Sequence, residues 1–258
     1  MKKIAYLLLA FLAIIVTSCF DTTQETSVND NGSGTLVSTT DLSNLIGMMK
    51  QFGGDESKKI EKLSKDTTIA LATVADSIEG LTPKEKALLK DATLALKINI
   101  PDEKFIIKVK APFSSMSDIP SLNAVVTKAM NTAMKKQMNE GGGPMGNQGM
   151  GGNDGEAPQP KSFDDYFVTS YSNGLITKKL DKAKYSEAEN DQYLKSMKEM
   201  SGMGAPMTVN YIFNLPRPAK KVEGKGVKLS DDKKKVTMNL SIDDFFDSPE
   251  KFEYSIEY

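Results

Sequence analysis

The chain has 258 residues, with 33 Lys and Arg against 34 Asp and Glu and a net charge of −1. That balance lacks the basic excess needed to neutralise phosphates, so no nucleic acid partner is expected. There is no His, no Trp and one Cys, which excludes a Ser-His-Asp triad, a Cys-His pair, a His-ligated zinc and an intrachain disulfide.

The chain opens "MKKIAYLLLAFLAIIVTSC". Lys2 and Lys3 precede an apolar run from Ile4 to Val16, 13 residues long. A bilayer span takes about 20, so the run has the length of a signal-peptide core rather than a transmembrane helix. Val16, Thr17, Ser18 and Cys19 then form an aliphatic, small, small, Cys series that resembles the bacterial lipobox. The resemblance implies that residues 1–18 are a signal peptide, that the Cys19 thiol becomes a diacylglyceryl thioether, and that cleavage falls before Cys19. Two or three acyl chains hold a protein to a membrane far more firmly than one. The following residues, "FDTTQET", lack the dense acidic run that accompanies surface export in some Bacteroidota lipoproteins. The expected location is therefore the outer membrane, facing the periplasm, with surface exposure as the alternative.

Three stretches read as two strands and then a helix. In the first, "NDNGSG" is a hairpin turn, and Leu42, Leu45, Ile46 and Met49 recur at helical spacing up to Gly53-Gly54. The segment "DTTIALATVADSIEG" fits either strand or helix. Thr82, Pro83 and Glu85 form a helix-starting capping box. In the second stretch, Leu94 to Ile100 and Phe105 to Val109 alternate on either side of "PDEK", and a helix over about 118–138 follows. In the third, Asn173-Gly174 is a strong hairpin signal, and Ser186 with Glu189 predicts a further capping box. Residue-level identity between the three stretches is absent, so they read as an internal repeat or as coincident α+β hairpins.

Residues 139–161 are dominated by Gly, Pro and polar residues, too apolar-poor to offset ordering entropy, and a disordered loop is expected. From residue 204 the alternation of Met207, Val209, Tyr211 and Phe213, of Val236, Met238 and Leu240, and of Phe252, Tyr254 and Ile256 predicts strands. "DDFFDSPEKF" reads as a short helix or loop. The expected fold is α+β: a lipidated flexible N-terminus, antiparallel hairpins each followed by a helix, then a C-terminal all-β meander. Its segments are 19–138, the loop 139–161, a third hairpin-helix unit 162–203 and the β region 204–258.

The order of lipobox, "NDNGSG" hairpin, Met-rich helix, Gly/Met loop and "YIFNLPRPAKKVEGKGVKLSDDKKKVTMNLSI" resembles a group of uncharacterised Bacteroidota lipoproteins. More loosely, Leu215-Pro216, Lys225-Gly226 and Lys234 to Met238 are similar to the LppM-type lipoprotein domain, with Met238 and Asn239 where an aromatic is usual. That likeness implies envelope lipid or glycolipid interaction and brings no catalytic residues.

Candidate sites are few. Asn29, Asn31 and Ser33 match the early positions of a calcium loop, but Thr40 stands where the bidentate Glu is needed, and a plain turn is preferred. Met130, Met134 and Met138 recur on one helical face and read as an adaptable surface for a partner rather than a Cu(I) site. Lys220-Lys221 and Lys233 to Lys235 lie among acids and read as solvated turns. Thr22, Thr67 and Ser77 follow Asp in a pattern resembling Bacteroidota O-glycosylation sites. No metal and no cofactor is expected. The functional expectation is a non-enzymatic envelope lipoprotein, anchored to the membrane at Cys19 and binding a lipid, glycan or protein. The alternative is a carboxylate-dependent hydrolase using Asp164-Asp165 or Asp243-Asp244.

Overall fold

Turn chemistry and period-2 alternation divide the chain into strands as expected. The structure, a computed structural model, describes residues 20–52, 62–140, 162–202 and 206–258. Residues 1–19, with the lipobox and Cys19, and residues 141–161 of the Gly/Met/Pro segment lie outside them.

Strands β1 (Phe20–Val28) and β2 (Gly34–Asp41) pair antiparallel across the Asn-rich turn. The Asn29 N–H donates to Ser33 O at 2.8 Å, and Asn31 Oδ1 accepts from the Ser33 hydroxyl at 2.7 Å. The side chains at the positions weighed for calcium thus hold the turn itself. Gly34 is needed where β2 starts: a Cβ there would stand 2.0 Å from Ser27 O and 2.5 Å from Phe113 Cζ. Helix α1 (Ser43–Phe52) follows.

The ambiguous segment is both things at once, strand β3 (Ser64–Ala70) and then a 3-10 helix (Leu71–Ser77). Helix α2 (Pro83–Leu88) carries the predicted Thr82–Glu85 capping box. Strands β4 (Thr93–Asn99) and β5 (Lys104–Phe113) pair across the "PDEK" turn, with Glu103 at φ 51°, and lead into helix α3 (Ile119–Glu140). Strands β6 (Phe167–Ser172) and β7 (Leu175–Leu180) turn at Asn173-Gly174, where Gly174 has φ 97°, and lead into helix α4 (Lys182–Tyr185). The antiparallel hairpins followed by helices, and the α+β class, are therefore present.

One helix start differs from expectation. Asp181 accepts from the N–H groups of Ala183 and Lys184 and starts α4 early, so Ser186 closes that helix instead of opening one. Helix α5 (Gln192–Gly202) begins after Asp191, whose carboxylate accepts from Leu194 N at 3.1 Å. In each case an Asp carboxylate a few residues from Ser186 accepts the first N–H groups of the helix.

The C-terminal strands divide between two sheets. β8 (Met207–Asn214), β10 (Lys228–Leu229) and β11 (Lys235–Ser241) complete an eight-stranded sheet of order β10-β11-β8-β1-β2-β5-β4-β3. β9 (Lys221–Gly224) and β12 (Tyr254–Glu257) leave it to build a four-stranded sheet of order β6-β7-β12-β9. All pairings are antiparallel except β1 with β8. Helix α6 (Ile242–Asp247) connects β11 towards β12 and buries Phe245, whose ring meets Phe163, Tyr166 and Tyr185 at 5.0–5.5 Å. One hydrophobic cluster runs from Leu94, Val109 and Leu122 to Phe213, Met238 and Ile256 and so joins both sheets and α3. The register puts Tyr211, Gln24 and Ser38 side by side on the inward face of the large sheet, the same parity as Phe213 and Leu36.

Candidate functional site

The segment after Cys19, expected to be flexible, is instead ordered in β1 from Phe20, because its residues pair with strands on both sides. Phe20 pairs with Met207, and Asp21 pairs with Asp41 on one side and Thr208 on the other. The Thr208 hydroxyl donates to the Asp21 carboxylate. The attachment point predicted from the sequence is therefore joined directly to an interior strand of the large sheet.

The most unusual group in the core is Lys178, 1% exposed. Alternation in β7 gives Ile176 and Lys178 the same inward face. The Lys178 ammonium meets the Asp164 carboxylate and donates to Tyr211 Oη at 3.1 Å. Tyr211 in turn donates to Asp164 Oδ1 at 2.7 Å. The cation lies over three rings, 4.4 Å from the centroid of Tyr211, 4.7 Å from Phe167 and 5.6 Å from Phe252, an arrangement in which ring quadrupoles replace part of the lost water. Asp164 is brought there by the 3-10 helix Phe163–Tyr166, whose Ser162–Asp165 capping box fixes its position. The cluster therefore ties β7 of the small sheet to β8 of the large one through a residue preceding β6.

Electrostatics explain why the pair is tolerated. Burial alone pushes the Asp164 carboxyl up. The Lys178 charge and hydrogen bonds from Lys178, Tyr211 and Gln24 pull it down further, and the net shift is downward. Burial, with the nearby Asp164 charge, pushes the phenols of Tyr171 and Tyr211 up. Tyr254 is raised by burial and by its hydrogen-bonded neighbour Tyr171. Such groups suit a fixed internal tie, because the lowered carboxyl is held by the Lys178 ammonium and the Tyr211 phenol. Sequence reading missed this cluster; the visible signal was a Lys at an inward position of a strand.

The carboxylate pairs weighed for hydrolysis are held in structural roles. Asp164 faces Lys178, and Asp165 accepts from the Ser162 N–H at 2.9 Å. Asp244 completes a capping box with Ser241 and pairs with Lys251 at 2.5 Å. Asp243 accepts from the Ser201 hydroxyl at 3.4 Å. Burial opposes ionisation of Asp244, but the Lys251 and Ser241 hydrogen bonds outweigh it and lower its carboxyl. Among the described residues no three His, Cys, Asp or Glu converge as a metal site.

Of the methionines read as a partner surface, Met130 is half-buried against the core; the side chains of Met134 and Met138 lie outside the described residues. The three Asp-Ser/Thr positions differ in access. Thr22 lies in β1, paired on both sides, with its hydroxyl 3.3 Å from that of Thr40. Thr67 lies in β3 at the sheet edge, half-buried, and Ser77 is exposed at the end of the 3-10 helix. Lys220 and Lys221 pair with Glu257 and Glu223, and Lys233 occupies the β10–β11 turn with φ 56°.

No family model matches the chain, and no curated protein matches it. Among solved structures it is similar to the folded domain of LppM from Mycobacterium tuberculosis, determined by NMR. That match has 9% identity over 93% of this chain and 91% of that one, with a TM-score of 0.35.

Proposed function

We propose that the protein is a lipid-anchored envelope lipoprotein that acts by binding a lipid, glycan or protein partner rather than by catalysis. The observation that carries this reading is the series Val16-Thr17-Ser18-Cys19 behind a basic and apolar leader. Acyl chains on Cys19 are the attachment that the lipobox pattern implies; no helix among the described residues is long and apolar enough to cross a membrane. The carboxylates best placed for acid-base work also serve as caps and ion-pair partners. Outer-membrane residence facing the periplasm belongs to the same proposal.

The test is metabolic labelling with an alkyne-bearing palmitate, followed by fractionation of wild type and Cys19→Ala. Label and membrane recovery in wild type, both lost in Cys19→Ala, are expected. An unlabelled wild-type chain in the soluble fraction refutes the anchor. Protease treatment of intact and lysed cells then reads the face: digestion only after lysis is expected.

A further inference from the structure

We infer that the outward face of the eight-stranded sheet, over β11, β8, β1, β2 and β5, binds an acidic polysaccharide; this names the partner class within the proposed binding role and rests on that reading. Burial alternates along these strands. Val209, Tyr211, Phe213, Val236, Met238 and Leu240 are buried, whereas Asn210, Ile212, Asn214 and Thr237 are partly exposed and Asn239 is exposed. On β5, Ile107, Val109 and Ala111 are buried and alternate with the exposed Lys108 and Lys110. Helix α3 and the small sheet pack on the buried side, so the other side meets solvent.

The register arranges this face in rows. Asn239, Asn210, Thr23, Thr39 and Lys108 stand side by side across five neighbouring strands. Thr237, Ile212, Glu25, Val37 and Lys110 form the next row. At about 4.8 Å per strand a row spans roughly 19 Å, the reach of several sugar units rather than one. The polar side chains are already ordered by cross-strand bonds. The Asn239 amide donates to Asn210 Oδ1, and the Asn214 amide donates to Glu25 at 2.6 Å and to the Ser27 hydroxyl at 3.0 Å. The Asn210 amide protons and the Asn239 carbonyl oxygen are left for a ligand's hydroxyl groups, and groups fixed beforehand lose less entropy on binding. Ile212 and Val37, beside Glu25, offer an apolar contact to sugar C–H faces.

The charge on the face names an acidic ligand. Lys108 stands opposite Thr39 and Ala95, and Lys110 opposite Val37 and Thr93. No acid lies directly across from either ammonium, and among the described residues neither enters an ion pair. Ligand carboxylates complement two such cations on one strand. Other occupants fit this chemistry less well. The outward positions of the eight strands hold no aromatic residue and no Arg, the usual anchors of a protein interface. The exposed large apolar side chains, Val168, Leu175 and Leu229, lie elsewhere, so this face has nothing to insert into a bilayer.

The experiment titrates the full chain in detergent micelles with alginate oligosaccharides, and with dextran as the uncharged probe, by calorimetry. Alginate binding at least several-fold tighter than dextran binding is expected. Lys108→Gln with Lys110→Gln should weaken it several-fold and reduce its salt dependence; Lys110→Gln alone substitutes if the pair does not fold. Asn210→Ala with Asn239→Ala should weaken it at every salt concentration and leave the salt dependence unchanged. Lys179→Gln with Lys195→Gln, an equal charge change at exposed positions off this face, should leave binding unaltered. An equal loss in that control, equal binding of dextran, or a folded chain that binds no alginate overturns the inference. An acylated, membrane-recovered chain that binds no alginate leaves the anchored-binder reading standing without this face. An unacylated, soluble chain that binds alginate overturns the anchor and keeps the face.

Discussion

Lys178 occupies a position where the alternation of β7 asks for an apolar side chain. Its ammonium is kept by Asp164, Tyr211 and three ring faces. Removing one member of such a pair costs more than removing both, because an uncompensated charge is left behind. Lys178→Met should therefore destabilise the fold by about 3 kcal/mol, the low end for a broken buried pair, since the Asp164 side chain keeps 28% exposure. Lys178→Met with Asp164→Asn should recover more than half of that loss. Urea denaturation of the two variants checks it; equal losses would mean the charge pair is not what matters. The pH dependence has two limbs. Asp164 has a folded pKa below its ordinary 3.8, so its contribution is full above 3.8 and disappears as pH falls through the depressed folded value. Tyr171, Tyr211 and Tyr254 have folded values above the ordinary 10.0, so their contribution is full below 10.0 and is lost as pH rises beyond it. Asp164→Asn should flatten the acid limb and also lessen the alkaline one, because the Asp164 charge helps burial to raise the phenols; urea midpoints across pH read both.

At the scale of elements, short-range acceptors decide where helices begin. Thr82 with Glu85, Ser162 with Asp165 and Ser241 with Asp244 each form reciprocal capping boxes. The first was legible because Pro83 follows the cap. The other two were hidden by a different question, whether adjacent aspartates make a catalytic pair. Ser241→Ala should cost about 1 kcal/mol, seen as a lower thermal midpoint, and it should loosen Phe245, which α6 carries into the aromatic cluster. An unchanged midpoint would show that packing of Phe245 alone holds α6. At Ser186 the sequence pattern was satisfied and still lost, because Asp181 reaches two N–H groups first.

At the scale of the molecule, the parallel contact of β1 with β8 joins segments near opposite ends of the chain; Asp21 and Thr208 are 187 residues apart. β1 is paired on both sides in the middle of the sheet, while β3 and β10 are its edges. Amide exchange should therefore be slowest in β1, β2 and β8 and much faster in β3 and β10. Early exchange in β1 would contradict its place at the centre. The same centrality matters to the proposed anchor, since a strand held on both sides passes the constraint at Cys19 to the whole sheet.

The sequence by itself determined the three hairpins, the α+β class and the inward parity of Tyr211, Met238 and Ile256. These depend on neighbours within a few residues: turn φ angles, period-2 faces and capping side chains. Only the tertiary structure decided that β9 and β12 leave the C-terminal strands for a second sheet, that β1 lies beside β8, and that Asp164 meets Lys178. Those choices are made by which apolar faces bury one another after long loops close, and no local preference encodes that pairing.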